Sequence, residues 1–393
     1  VYNNASSLKN HRLYPEFKKV ARRLAEHQFV CWIAGGAVRD LILGAEVSDF
    51  DLVTDASTEV LKHLFPEAVL VGEAFGVLKI PIGPDLKEFL DLSTFREESE
   101  YQDGRRPSQV KASTPVQDSL RRDFTVNAIY WDDVSEVVWD YQGGLFDLKQ
   151  KKLKCVGDAK IRFSEDYLRI VRLMRFSLQL GFVIEPTTLN AARDELRNIQ
   201  KVSGERIWAE FRKIEKAQAW SKAWSSQFFK EIFSLVLDDS TLLESSKLKI
   251  QSSMKLEMVL FLVNPRRDYS PILKSRFRVS NKEVDCYRNI RFLNENVLKL
   301  SLEELAFELE KSETLFFQFR EMISAALFES VLLTKVDALL NENPETLVTA
   351  SEIKDLIPAR QISSEIRLIR VGQLGKIYRS RDDVFEYLKK KYA

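Results

Sequence analysis

Near residue 145 the hydrophobic pattern of the chain changes period, and that change limits the fold to a mixed unit followed by a helical one. Before it, short apolar or alternating runs are broken by Gly and Pro: Phe29 to Ile33, Phe50 to Val53, Val77 to Ile82, Glu88 to Ser93 and Val137 to Trp139. Runs of this length and spacing read as strands. Between them lie helical stretches: Val38 to Leu43 closed by Gly44, Thr58 to Phe65 stopped by Pro66, and Gln117 to Leu120 continuing toward Ala128. From about residue 160 turn signals thin out. Apolar residues then recur at helical spacing over Ser164 to Leu180 and Leu302 to Leu333, so an α+β unit followed by an all-helical part is expected. With 393 residues the chain exceeds what one core usually fills, and two or three domains are expected.

Charge and cysteine usage narrow the function. Lys plus Arg number 59 against 58 Asp plus Glu, so any RNA contact must be local and not a diffuse polyelectrolyte attraction. The three cysteines, Cys31, Cys155 and Cys286, lie far apart with no CxxC, which points to a reducing compartment. His11, His27 and His63 are the only histidines, which argues against an imidazole zinc site or a Ser-His-Asp triad. No run of 18 uncharged apolar residues occurs and Val-Tyr-Asn-Asn is not a signal peptide. A soluble, cytoplasmic protein with no membrane association is expected, and no obligate protein partner is evident.

Four motifs carry chemistry. Gly35-Gly36-Ala37-Val38-Arg39-Asp40 places two glycines where a strand turns into a helix. Backbone N–H groups there approach an anion closely, and Arg39 adds a forked cation; taken alone, the motif reads first as a tight turn with a surface arginine. Ser48-Asp49-Phe50-Asp51-Leu52-Val53 puts Asp49 and Asp51 on one side of a strand. Two like charges so close favour a divalent cation between them, the plainer alternative being a solvated strand end. Asp91, on a mostly apolar strand, is either a third metal carboxylate or an edge-strand charge. Arg121-Arg122-Asp123-Phe124-Thr125-Val126-Asn127-Ala128 puts Asp123 and Asn127 on one face if helical, able to hold a ribose hydroxyl while Arg122 reaches phosphate; a surface salt-bridge cluster is the competing reading. In Glu165-Asp166-Tyr167-Leu168-Arg169-Ile170-Val171-Arg172-Leu173-Met174-Arg175, apolar residues surround a helix, and Asp166 and Arg169 stand at ion-pair spacing.

Taken in order, GGAVRD, DFD, RRDFTVNA and EDYLRIVR resemble the motif series of class II tRNA nucleotidyltransferases and the related bacterial poly(A) polymerases. Further matches are Ser93-Thr94-Phe95-Arg96, a loop ending in Asp103-Gly104-Arg105-Arg106-Pro107, a hinge-like stretch from Asp140 to Asp158, and Ser203-Gly204-Glu205-Arg206-Ile207. The resemblance covers about residues 29–215. It implies a polymerase β-like catalytic head with a small mixed sheet (1–146), a helical neck with a base-reading helix (147–216), a helical body (217–320) and an RNA-binding tail (321–393). It also implies addition of CMP and AMP to the 3′ end of tRNA from CTP and ATP, with Mg2+ as cofactor. Poly(A) synthesis, or addition of only CC or only A, are the alternatives within the same family.

Residue by residue, the resemblance makes Asp49 and Asp51 metal ligands and Asp91 the third acid. Gly36, Arg39 and Arg122 match triphosphate contacts, and Asp123 and Asn127 the ribose site. Asp166 and Arg169 match the protein template for the base, with Arg172 and Arg175 as further nucleotide contacts. A carboxylate accepts from the exocyclic amine of C or A, and a guanidinium donates to the ring nitrogen beside it; uracil and guanine would leave both unpaired. The stretch Glu97 to Lys111 has charges and no apolar period, so a mobile loop is expected there; the resemblance implies that it helps switch addition from C to A.

Overall fold

The computed structural model describes residues 8–47, 49–71, 76–83, 88–101, 107–243, 250, 252, 254–296, 347–354, 356–357, 362, 366, 369 and 380–392. The chain divides into two compact units, Val1–Val202 and Ser203–Ala393.

The first unit opens with helix α1 (Tyr14–Ala25), which buries Phe17, Val20 and Leu24 at helical spacing and starts with Pro15, whose missing N–H costs nothing at a helix N-terminus. Then follow β1 (Cys31–Ala34), α2 (Gly36–Leu43), β2 (Asp51–Thr54), α3 (Thr58–Leu64), β3 (Val69–Val71), β4 (Val77–Ile82) and β5 (Glu88–Thr94). Next come β6 (Arg96–Tyr101), β7 (Pro107–Ala112), α4 (Pro115–Leu120), β8 (Ile129–Asp132), β9 (Val137–Asp140) and α5 (Gly144–Lys149). The main sheet has seven strands in the order β3-β4-β5-β2-β1-β8-β9. β2 and β5 run parallel; the other neighbours are antiparallel. On one face Ile33, Leu52, Leu78, Ile80, Leu90 and Leu92 are buried. With Phe17, Val38 and Leu41 from the helices they supply the core, each such side chain worth about 1.5–3 kcal/mol on burial. Asp51 and Asp91 alternate with these residues, so they belong to the opposite face.

The strands and helices expected from the pattern are present, with α2 ending at Gly44 in the left-handed conformation (φ 69°) and α3 ending before Pro66. Three features depart from expectation. The helix expected from Gln117 toward Ala128 stops at Leu120, and a 3-10 turn (Thr125–Asn127) leads into β8. The stretch expected as a mobile loop instead contains the antiparallel pair β6–β7, whose register runs from Arg96↔Ala112 to Tyr101↔Pro107. Its sequence shows no apolar-polar alternation, which hides the strand period, while the pairing of the two strands satisfies the backbone. The loop tip, 102–106, lies outside the described residues. Finally, the helix expected over Ser164 to Leu180 is two helices, α6 (Ala159–Glu165) and α7 (Leu168–Leu180), separated by Asp166 in extended backbone. A two-residue parallel strand pair, Lys152–Leu153 with Val183–Ile184, ties the two ends of this segment together.

In the second unit every described element is helical. Phe211, Trp220, Phe229 and Phe233 are fully buried. Arg212 joins three elements through Glu215, Glu257 and Glu283. The expected helical run Leu302 to Leu333 lies outside the described residues. Further on, Val348, Ile353, Ile357, Ile369, Val384 and Leu388 form a separate small core. Among the described residues no helix is long and apolar enough to cross a membrane.

Gly144 shows how closely the first unit is packed. A Cβ there would lie 2.1 Å from the carbonyl oxygen of Thr125 and 3.0 Å from Cγ1 of Ile129. The start of α5 therefore presses on the 3-10 turn, and Asp147 accepts a hydrogen bond from Thr125 Oγ1 at 2.7 Å. Gly144→Ala should destabilise the protein by about 1–3 kcal/mol through overpacking against backbone; chemical denaturation would show it as a lowered midpoint.

Candidate active site

The sheet register brings the expected acids together. Asp51, the first residue of β2, pairs with Asp91 of β5 in the parallel ladder, and Asp91 pairs with Lys79 of β4. Asp49 stands two residues ahead of β2 and outside it, so the two acids do not share a strand as expected; both are exposed. The Asp51 carboxyl is held above the usual carboxylate range by desolvation, then by the charges of Asp49 and Asp91, with Arg122 and Lys79 opposing. Of these causes, the repulsion from its two acidic neighbours is the part a bound cation would reverse. Lys79 Nζ meets Asp91 Oδ1 at 2.7 Å, so Asp91 is already partly neutralised. Among the described residues no three carboxylates converge into a ready-made metal cluster. The donor set is nonetheless all oxygen and anionic, which fits a hard divalent ion at Asp49 and Asp51.

The glycine turn is dictated by backbone geometry. Gly35 has φ 72° and ψ −124°, a region essentially reserved for glycine, and a Cβ would sit 3.0 Å from Arg122 Nη1. Gly36 is the first residue of α2, where a Cβ would meet Arg39 Nη2 at an ordinary 3.5 Å. Arg39 itself is only 4% exposed and is not a surface arginine. Its Nε and Nη2 donate to Asp40 at 2.8 and 2.9 Å, its Nη1 donates to Asn127 Oδ1 at 2.6 Å, and its guanidinium lies 5.1 Å from the Phe176 ring centroid.

Asp123 and Asn127 meet although no α-helix joins them. Asn127 Nδ2 donates to Asp123 Oδ1 at 3.0 Å across the bend and 3-10 turn. Asp123 Oδ2 accepts from Arg172 Nε and Nη2 at 2.9 and 2.7 Å. Burial works against the ionised carboxylate, but Arg172 and Asn127 outweigh it and hold Asp123 far below its ordinary value.

Arg122 exposes a residue that the motif reading missed, Asp118. This carboxylate has no exposed surface. It accepts from Arg121 Nε at 2.8 Å, from Arg122 Nη2 at 3.1 Å and from the Tyr130 hydroxyl at 2.7 Å. Burial alone would raise its pKa; the Arg122 and Arg121 guanidiniums and the Tyr130 hydroxyl together hold it at about 2. The signal was present in the sequence, because Asp118 stands three and four residues before Arg121 and Arg122.

Asp166 and Arg169 do not share a helix as expected. Asp166 sits in extended backbone at the break (φ −151°, ψ 102°), with its Oδ1 accepting from Leu168 N at 3.1 Å. Arg169 forms an ion pair with Glu165 and donates to the carbonyls of Arg162 and Arg121 at 2.8 and 2.9 Å. Arg172 and Arg175 follow on α7, with Arg175 Cζ 3.5 Å and Arg172 Cζ 5.3 Å from the Phe176 centroid. Phe176, another residue not singled out from the sequence, thus has three guanidiniums around it, each such contact contributing roughly 0.5–2 kcal/mol.

This arrangement, acids on one face of a mixed sheet beside arginines from a glycine turn and a following helix, defines a nucleotidyltransferase head. Residues 31–154 match the Poly A polymerase head domain, and residues 181–234 match the probable RNA and SrmB-binding site of polymerase A. The chain is 40% identical over 217 residues to the CCA-adding enzyme of Lactococcus lactis subsp. lactis (strain IL1403), the match covering 54% of each chain. It is 32% identical over 272 residues to that of Staphylococcus haemolyticus (strain JCSC1435), covering 69% of this chain and 66% of the relative. The Lactococcus match therefore spans about half the relative's length. In fold, the Bacillus stearothermophilus CCA-adding enzyme in complex with CTP is similar with TM-score 0.69 at 21% identity, covering 97% of this chain and 98% of that one. The Thermotoga maritima CCA-adding enzyme complexed with tRNA is similar with TM-score 0.61 at 19% identity, covering 100% and 99%. The chain belongs to the family of class II tRNA nucleotidyltransferases and bacterial poly(A) polymerases.

Asp118 generates a pH prediction. Its folded pKa of about 2 lies below the ordinary value near 3.9, so its contribution to stability is full above about pH 4 and fades as pH falls toward 2. Asp118→Asn should cost about 3–5 kcal/mol at neutral pH by leaving buried guanidiniums uncompensated. The gap from the parent should narrow through that acid window, as chemical denaturation at a series of pH values would reveal.

Proposed function

We propose that the chain adds CMP and AMP to the 3′ end of tRNA from CTP and ATP, building or repairing the CCA terminus without a nucleic-acid template. The observation that carries this reading is the cross-strand pairing of Asp51 with Asp91, together with the influence of Arg122 on the Asp51 carboxyl. The CCA-adding relatives agree with it. Head 1–146, neck 147–216, body 217–320 and tail 321–393 is the division we infer for the activity. The buried free thiols Cys31 and Cys155 suit a reducing cytoplasm.

In this reading Asp49 and Asp51 hold Mg2+, with Asp91 behind them. Bound there, the metal would supply charge neutralisation on the phosphoryl oxygens and a lowered pKa for the attacking hydroxyl. The chain's own groups do the placing. Gly35 N–H donates to the Ile129 carbonyl at 2.9 Å, so the N–H of Gly36, at the start of α2, is the turn's group for the triphosphate, and Arg122, held by Asp118 and Tyr130, offers a fixed cation. Asp123 and Asn127, already joined to Arg172 and Arg39, form the wall against which ribose hydroxyls are read. Asp166 and Arg169 read the base edge: a carboxylate for the exocyclic amine of C or A, a guanidinium for the neighbouring ring nitrogen. The β6–β7 hairpin is the element we assign to the switch from C to A.

The deciding experiment supplies tRNA lacking its end with magnesium, CTP and ATP. Three nucleotides should be added and extension should then stop; long adenylate tails on generic RNA with ATP alone would assign the chain to poly(A) synthesis instead. Asp49→Ala or Asp51→Ala should lower incorporation of both C and A by at least about a thousandfold while tRNA affinity stays near that of the parent. Gel-resolved incorporation and a binding titration check the two halves of that statement. Asp166→Ala should admit UTP and GTP, and unchanged exclusion of both in competition assays would place base reading elsewhere.

A further inference from the structure

The row of residues that carries the acids does not end at them. Following the register across the sheet, Asp51 pairs with Ala34 of β1, Ala34 with Tyr130 of β8, and Tyr130 with Trp139 of β9. Trp139 therefore points to the acid-bearing face, three strands from Asp51, roughly 14 Å at about 4.8 Å per strand. Between them Arg122 lies over the Tyr130 ring at 4.8 Å, so the row reads carboxylates, guanidinium, aromatic ring.

Trp139 is part of a ladder of near-parallel rings. Trp32 and Trp139 have centroids 5.8 Å apart at 13°, and Trp139 and Tyr141 are 6.2 Å apart at 11°. Those separations belong to offset rings, which leave part of each face uncovered. The inner end of the ladder is core: Trp32 packs with Phe95 and Tyr130. The other end, Tyr141, packs against the same cluster, whereas the middle ring, Trp139 on the edge strand, is 38% exposed and Val137, on the same face, is 40% exposed. A core needs no exposed tryptophan aligned with its neighbours, whereas an unpaired nucleic-acid strand stacks on such rings whatever its sequence.

We propose that Trp139, backed by Trp32 and Tyr141, is a stacking platform for the unpaired 3′ end of the RNA substrate, guiding it along the row to the acids. The proposal rests on the functional reading above. The row itself indicates the occupant: a strand reaching Asp51 from the β9 edge meets rings suited to bases, then the Arg122 guanidinium suited to phosphate.

The test measures binding of the full chain to a tRNA that keeps its unpaired 3′ end and to the same tRNA trimmed to a blunt stem. The parent should favour the unpaired end by about tenfold, the worth of one stacked base. Trp139→Ala and Trp139→Leu should both lose that preference, and Trp139→Phe should keep it; circular dichroism confirms that each variant is folded. A Leu variant that still prefers the unpaired end reduces the site to apolar area and overturns the proposal, as does a parent with no preference. Self-association of the parent that Trp139→Ala abolishes, seen by sedimentation, would give the face to a second copy and overturn it too. The functional reading fails separately: a parent that incorporates no nucleotide, yet whose preference is lost in Trp139→Ala, keeps the platform and loses the assigned activity.

Discussion

A single buried carboxylate holds the site's charges in register. Asp118 is removed from water, and it is stable there only because Arg121, Arg122 and Tyr130 satisfy it. The dependence runs both ways, since a guanidinium held mostly out of solvent beside the acids needs a counter-charge of its own. Arg122 is thereby fixed over Tyr130, beside the Gly35 turn, and acts on Asp51 from a set position. Positions fixed before a substrate arrives are what electrostatic catalysis requires.

The same logic recurs one layer out. Asp40 and Asn127 hold Arg39, Asp123 holds Arg172, and Glu165 holds Arg169. Each cation that the family pattern directs at a nucleotide has an acid or amide partner within the first unit. The result is a lattice of satisfied charges that an incoming anion would enter by exchange. Phe176, with three guanidiniums around it, lets these cations crowd without a matching number of carboxylates.

Much of this was legible in the sequence, for reasons that can be stated. The apolar run after Asp51 locates β2, although Asp49 falls outside it, and Gly44 and Pro66 mark helix ends because each imposes a backbone constraint. What escaped notice was set by tertiary partners. β8 is four residues long and follows a segment with helical spacing, so only its pairing with β1 reveals it. The β6–β7 pair has no apolar-polar alternation in its sequence, which hides its period. Asp166 and Arg169 have helical spacing, but the chain breaks at Asp166 and α7 begins at Leu168. Asp118 was overlooked for another reason: no motif contains it, and its importance comes from burial, which spacing does not report.

The parallel pairing of β2 with β5 carries a consequence for how the molecule comes to exist. Asp51 and Asp91, 40 positions apart, become neighbours only after the chain between them has closed on itself, and parallel pairings across such crossovers are slow to form because chain entropy must be surrendered first. Arg122 and Tyr130 arrive later still along the chain. A ribosome-bound chain that has not yet released β8 therefore holds its acids without the cation that opposes their repulsion. The charge arrangement of the sheet is therefore complete only once β8 has been made, about a third of the way along the chain.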